Sequence, residues 1–219
     1  MKNIIILSLA FFLTSACILP SDNSTNILNT NIQLPTENRE AEVADIPVTV
    51  EDRAVIEPIA EFSERITKKP FGIYITRETS PVQPEKFTGY HTGVDVEYGD
   101  KPEEEIKVLA IADGVVVRSG WVSGYGGMLA IRHSIDKEEY VVIYGHLAPN
   151  SLPELNQKVS QGDTVGVLGD AYSNETAGER KHLHLAIYTG TDINVRGYVS
   201  KQSDLVKWLD PLEFFTQAD

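Results

Sequence analysis

His182-Leu183-His184-Leu185-Ala186-Ile187-Tyr188 is the stretch on which the fold turns. Strand side chains repeat every two residues, so His182, His184 and Ala186 share one face while Leu183, Leu185 and Ile187 share the other. An apolar row beneath and two imidazoles above describe a strand that covers a core and presents a polar site. Outward from it lie Tyr90-His91-Thr92-Gly93-Val94-Asp95 and Tyr144-Gly145-His146-Leu147. The three stretches hold four of the five histidines of the 219-residue chain.

From Pro70 onward, short runs of Val, Ile and Tyr alternate with Gly and Asp at spacings typical of an antiparallel sheet. Strands are expected over 71–76, 93–98, 106–112, 114–122, 127–133, 139–146, 164–168 and 182–188. The fold class is mainly β, an antiparallel sheet with little helix. Ala112-Asp113-Gly114-Val115-Val116 and Gln161-Gly162-Asp163-Thr164-Val165-Gly166 each set a turn ahead of a β-branched run. Gly124-Tyr125-Gly126-Gly127 serves a tight hairpin rather than a phosphate cradle, since no helical pattern follows it. The segment 205–215, with Trp208, Pro211, Phe214 and Phe215, reads as a short element closing the apolar core.

A composition of 42% apolar and 23% charged residues is that of a globular chain. The formal charge of −13 excludes a nucleic-acid partner, because phosphate binding needs a Lys/Arg-rich face. Residues 1–16 read as a signal peptide, with Lys2 as the positive start, an apolar run over 4–13 and the small residues Thr14, Ser15 and Ala16 before Cys17. The run is too short to span a bilayer. Leu13-Thr14-Ser15-Ala16-Cys17 resembles a bacterial lipobox, although Thr14 stands where leucine is commonest. That reading makes Cys17 a lipidation site and anchors the protein to a membrane in the cell envelope; the alternative is a signal peptide that is simply cleaved. From 17 to 69 the chain is rich in Asn, Ser, Thr, Glu and Pro without sustained periodicity, which describes a disordered tether. A short surface helix is expected within it over 55–66. The globular domain is assigned to 70–219.

Cys17 is the single cysteine, so a zinc ion in this chain must be held by histidine and carboxylate. His182 and His184 project from one surface, and His91 with Asp95 can add a nitrogen and a carboxylate oxygen, leaving a position for water. On a straight strand His91 and Asp95 would stand about 13 Å apart, too far for one ion. Gly93 therefore has to bend the chain, with His91 on a loop that curls back and Asp95 entering a strand. Tyr140, Val142, Tyr144 and His146 are expected on one strand face. His133, beside Arg132, reads as an ordinary strand-end histidine.

His91-Thr92-Gly93-Val94-Asp95, Ala112-Asp113-Gly114-Val115-Val116 with Gly120-Trp121, Tyr144-Gly145-His146-Leu147, Val159 through Gly166 and His182-Leu183-His184 occur in an order that resembles the lysostaphin/LytM-type zinc metallopeptidases. These are cell-wall endopeptidases on the duplicated hybrid motif fold, and the resemblance runs from about Pro70 to the end of the chain. It implies one zinc ion bound by His91, Asp95 and His184, with His146 and His182 beside the fourth position as the catalytic imidazoles. It implies peptidoglycan as the substrate. Since no His-Glu-X-X-His helix supplies a glutamate base, the two imidazoles are the groups left for proton transfer. Tyr144 and Tyr90 are candidate further donors to substrate.

The chain departs from the family ahead of His182, where relatives approach through a short Gly/Ser/Thr-rich turn ending in proline. Here the segment is Ala171-Tyr172-Ser173-Asn174-Glu175-Thr176-Ala177-Gly178-Glu179-Arg180-Lys181. Arg180 and Lys181, cations beside the site on an acidic protein, are candidates to pair with a carboxylate of a stem peptide; the alternative is a solvated turn. Two other functions compete. One is a catalytically silent relative that activates other wall hydrolases, against which the retention of all five site residues speaks. The other is a carrier or phosphotransfer domain of similar architecture, against which the secretory signal speaks.

Overall fold

The alternation around His184 is realised in a computed structural model that describes residues 55–216. The expected signal peptide 1–16, lipidation site Cys17 and the part of the tether up to residue 54 lie outside the described residues. In chain order the elements are β1 (Tyr74–Ile75), β2 (Gly89–His91), β3 (Val94–Glu97), β4 (Lys107–Leu109), β5 (Gly114–Val122), β6 (Gly126–Ile135), β7 (Glu138–Leu147), β8 (Lys158–Val159), β9 (Thr164–Val167), β10 (His182–Thr189), β11 (Tyr198–Val199), β12 (Trp208–Leu209) and the short helix α1 (Pro211–Thr216). The domain is mainly β, its strand pairs are antiparallel, and it has little helix, as the patterning predicts.

The main sheet runs β12-β10-β7-β6-β5-β8, with β3 also paired to β10. A three-stranded sheet, β1-β2-β11, and a two-stranded pair, β4-β9, complete the fold. The two faces of the main sheet carry separate apolar clusters. Leu183, Leu185 and Ile187 join Val142, Tyr144, Leu129 and Ile131 on one. Ala186 and Tyr188 join Val141, Ile143, Met128 and Trp208 on the other. The histidine face of β10 is thus the face of the smaller cluster. The C-terminal segment closes both, Trp208 on the smaller and Phe215 on the larger.

The assigned boundary at 69/70 falls inside the packed structure. Val55, Ile59 and Phe62 are buried in the larger cluster, where Phe62 meets Phe215 edge-on at 5.1 Å. Backbone bonds from Ile56 N–H to the Ile111 carbonyl, Leu109 N–H to Pro58, Glu97 N–H to Arg65 and Asp95 N–H to Lys69 stitch this segment to the strands. The Tyr98 hydroxyl donates to the Ala60 carbonyl. The segment forms turns rather than the expected helix over 55–66. Its few apolar residues escape a periodicity search because they are spaced for turns, yet Val55, Ile59 and Phe62 reach the core and Ile66 packs against it.

Candidate functional site

Two pairings bring the distant stretches together. β3 pairs with β10 so that Asp95 lies opposite His184 and Glu97 opposite His182. β2 pairs with β11 so that His91 lies opposite Tyr198. Between β2 and β3 the chain bends at Thr92-Gly93, as the His91–Asp95 spacing demands, but His91 ends the paired strand β2 rather than sitting on a loop, because β11 supplies it with a partner. Gly93 is required there: a Cβ at that position would stand 2.2 Å from the Leu185 carbonyl oxygen. The bend lets His91 Nε2 and Asp95 Oδ1 approach to 3.4 Å.

His146 reaches the same face by a different device. On a regular strand it would follow Tyr144 and Val142 into the larger cluster, as expected from the alternation. Instead Gly127 pairs with Leu147 and Met128 with Gly145, leaving His146 as an extra residue, and its φ is 64°. A β-bulge with one left-handed residue costs about 1–3 kcal/mol of strain and re-aims a side chain. It sends His146 across to His182, with ring centroids 4.2 Å apart.

The Nε2 of His91, Nδ1 of His184 and Oδ1 of Asp95 form a buried triangle with sides of 3.1, 3.1 and 3.4 Å. His91 Nδ1 lies 3.2 Å from the Pro70 carbonyl, which calls for the proton on Nδ1 and leaves a lone pair on Nε2. Three acceptor-type atoms turned on one another without solvent repel unless a cation or proton sits among them. Tetrahedral zinc with bonds of about 2.0–2.1 Å separates its ligand atoms by about 3.3 Å. The triangle matches that edge in size and in donor type, so the residues fit the ion.

Second partners hold these groups in place. Arg180 Nη2 donates to Asp95 Oδ2 at 2.8 Å and to Glu97 Oε1 at 2.5 Å, and its Nε donates to Glu97 Oε2 at 2.8 Å. One oxygen of Asp95 is thereby committed to Arg180 and the other left for the triangle. Burial alone would raise the Asp95 carboxyl, but the imidazoles of His182, His91 and His184 outweigh it and hold it well below the usual carboxylate range. His146 Nδ1 lies 3.1 Å from the Thr176 carbonyl and His182 Nδ1 lies 2.9 Å from the Arg180 carbonyl. Both rings therefore carry Nδ1–H and present an unprotonated Nε2. Burial pushes the His146 imidazole down to about 3 and that of His182 well below its ordinary value, so both are neutral at neutral pH.

These groups open onto a cavity of about 360 Å³ whose wall includes Asp95, His146, His182 and His184. Of the expected substrate contacts, only Arg180 reaches that wall, and its fork is spent on Asp95 and Glu97. Lys181 does not, because the two-residue period turns it away from His182; its Nζ donates to the Pro102 and Glu104 carbonyls. Tyr144 is buried in the larger cluster, where its hydroxyl accepts from Ile111 N–H. Tyr90 packs on Tyr74, with centroids 4.7 Å apart. His133 is buried beside the Asp113 carbonyl, an ordinary structural histidine.

The aromatic wall comes from residues that patterning does not single out. Tyr198 stacks on His91 and Phe87, with centroids 5.1 and 5.4 Å away. Tyr125 sets its ring edge against His184 at 5.3 Å, which Gly145 permits: a Cβ there would lie 2.4 Å from Tyr125 Cδ1. Burial raises both phenols, so each remains a hydroxyl. Lys69 Nζ donates to the Tyr198 oxygen at 3.2 Å and to Glu85 at 2.7 Å. Tyr198 lies on a two-residue strand, too short to leave a period.

Residues 89–195 match the sequence profile of peptidase family M23. No curated protein sequence matches the chain. Among solved structures, the domain is similar to the catalytic domain of the antimicrobial peptidase lysostaphin from Staphylococcus simulans, at 21% identity over 73% of this chain and 99% of that one with a TM-score of 0.48. It is also similar to LytU, at 25% identity over 70% of this chain and 85% of that one with a TM-score of 0.48.

Proposed function

We propose that this protein, whose residues 89–195 match the profile of peptidase family M23, is a zinc-dependent endopeptidase of the lysostaphin/LytM type that hydrolyses amide bonds in peptidoglycan stem peptides or cross-bridges. The observation that carries the reading is the buried triangle of His91 Nε2, His184 Nδ1 and Asp95 Oδ1, whose Asp95 and His184 line one cavity together with the imidazoles of His146 and His182. In this proposal His91, Asp95 and His184 hold one zinc ion, which would lower the pKa of a bound water to about 7 and polarise a carbonyl. His146 and His182 handle the proton: one Nε2 accepts it during attack and returns it to the leaving amine. Asp95 Oδ2, 3.5 Å from His182 Nε2, favours a transient positive charge on that ring. Tyr198 and Tyr125 supply hydroxyl donors on the wall where the peptide lies.

The envelope is the place of action in this proposal. The reading of 1–16 as a signal peptide and Cys17 as a lipidation site supports it, with the lipid anchoring the protein near its substrate. Among the described residues no helix is long and apolar enough to cross a membrane.

The test is direct. The full-length chain should bind about one zinc, release fragments from cross-linked muropeptides, and lose that activity with a chelator or with His184→Ala. Zinc binding without cleavage of any wall preparation overturns the proposal and leaves the non-catalytic activator of other hydrolases.

A further inference from the structure

Three cations line the cavity of the triangle: Lys69, Arg180 and Arg196. Two are spent within the protein. Lys69 is buried against Glu85 at 2.7 Å, with side chains 4% and 3% exposed, and also donates to Tyr198. Arg180 is forked onto Glu97 and Asp95. The acids on the wall are spent likewise. Glu179 is paired with Lys86 at 2.7 Å, and Asp95 belongs to the triangle.

Arg196 differs. Its backbone is pinned to the site, because Thr92 Oγ1 donates to the Arg196 carbonyl at 2.7 Å and Thr92 N–H to the Gly197 carbonyl at 3.1 Å. Gly197 lies against Tyr125 and His184. The side chain is steered by Asn194, whose Oδ1 accepts from Arg196 Nε at 3.2 Å and from its N–H at 3.3 Å. That engages the inner edge of the guanidinium and leaves the two terminal nitrogens, Nη1 and Nη2, with no acceptor among the described residues. Arg196 is exposed at the cavity. A planar pair of donors on a fixed stem fits a carboxylate through two parallel hydrogen bonds.

We propose that Arg196 is a specificity-determining residue that binds a free carboxylate of the peptide close to the bond being cleaved, so that the substrate class is acidic stem peptides rather than uncharged bridges. The inference rests on the endopeptidase reading and narrows it. It replaces the expectation that Arg180 and Lys181 serve this purpose, since both are internally paired.

The experiment uses the full-length chain and two cross-linked muropeptides that differ only in whether the carboxylate beside the cross-link is free or amidated. Zinc-loaded parent protein should prefer the free form in kcat/KM by about tenfold or more, the scale of a charge-assisted hydrogen bond. Arg196→Gln should bring that ratio toward one, chiefly through KM, and Arg196→Lys should restore part of it. Binding of the same muropeptides to the metal-stripped protein gives a readout independent of turnover, with the same loss expected in Arg196→Gln. An unchanged ratio in both cleavage and binding overturns the assignment. If no cleavage occurs but the free carboxylate still binds more tightly through Arg196, the hydrolase reading fails and the carboxylate site stands.

Discussion

Replacing Arg180 by lysine keeps the charge and removes the fork, so it isolates what guanidinium geometry does for Asp95. The arginine spans two carboxylates, Nη2 reaching Asp95 at 2.8 Å while Nε and Nη2 grip Glu97. All three side chains are nearly dry, at 8%, 3% and 11% exposure for Arg180, Asp95 and Glu97. An ammonium carries its three donors on one atom and has no planar fork, so it cannot reproduce both the Nε bond to Glu97 and the Nη2 bridge between Glu97 and Asp95, and at least one charge-assisted bond is lost. One charge-assisted bond is worth about 1.5–3 kcal/mol, and the metal-stripped protein should lose stability of that order. Asp95 would also be freed to turn, and loss of an outer partner weakens metal affinity by about 10- to 100-fold. Since the charge is retained, long-range repulsion of the ion does not change and cannot mask the effect. Urea denaturation followed by tryptophan fluorescence reads the first quantity, and competition against a chromophoric zinc chelator reads the second. A variant with the parent's unfolding midpoint and zinc affinity would refute the clamp.

Phe62→Ala should cost about 3–5 kcal/mol, because the ring is wholly buried against Phe215; a chain starting at residue 70 should be destabilised further, and a loss below about 1 kcal/mol in urea melts of Phe62→Ala would show that the segment merely decorates the domain. Glu85 is pushed up by burial but pulled further down by donors from Lys69, Phe87 N–H and Ser80, so its carboxyl ends below its usual value. Its contribution is complete above the unfolded pKa of about 4.3 and is lost as pH falls through the lower folded value. Urea midpoints measured between roughly pH 5 and 3 should therefore drop more steeply for the parent than for Glu85→Gln, and equal slopes would contradict the assignment.

Much of this architecture is legible because it obeys a short period. The alternation of 182–188 names the faces of β10 from residue order alone, and the two clusters follow it residue by residue. The spacing of His91 and Asp95 likewise demands the bend that Gly93 provides. Where the period breaks, reading fails: His146 is put on the Tyr144 face by alternation and on the opposite face by a single extra residue in a left-handed conformation. Tyr144 is lost from the site for the same reason, since the bulge moves the histidine and leaves the tyrosine in the core. Lys181 and Arg180 look alike beside the site, and only their neighbours' carbonyls and carboxylates separate them.

Local chain chemistry alone determined that this is a β domain with a histidine-lined strand and offered His91, Asp95, His182 and His184 as candidate metal ligands, because period and residue type are properties of neighbours along the backbone; the choice of His91, Asp95 and His184 among them came from the family resemblance. Only the tertiary structure decided that residues 55–69 belong to the packed domain, with Val55, Ile59 and Phe62 in its core, that Tyr125 and Tyr198 wall the cavity, and that Arg196 rather than Arg180 keeps its terminal nitrogens without an acceptor among the described residues. Those outcomes depend on which groups pair across more than 80 residues of chain, as Arg180 does with Asp95 and Glu97, and such pairing leaves no trace in spacing.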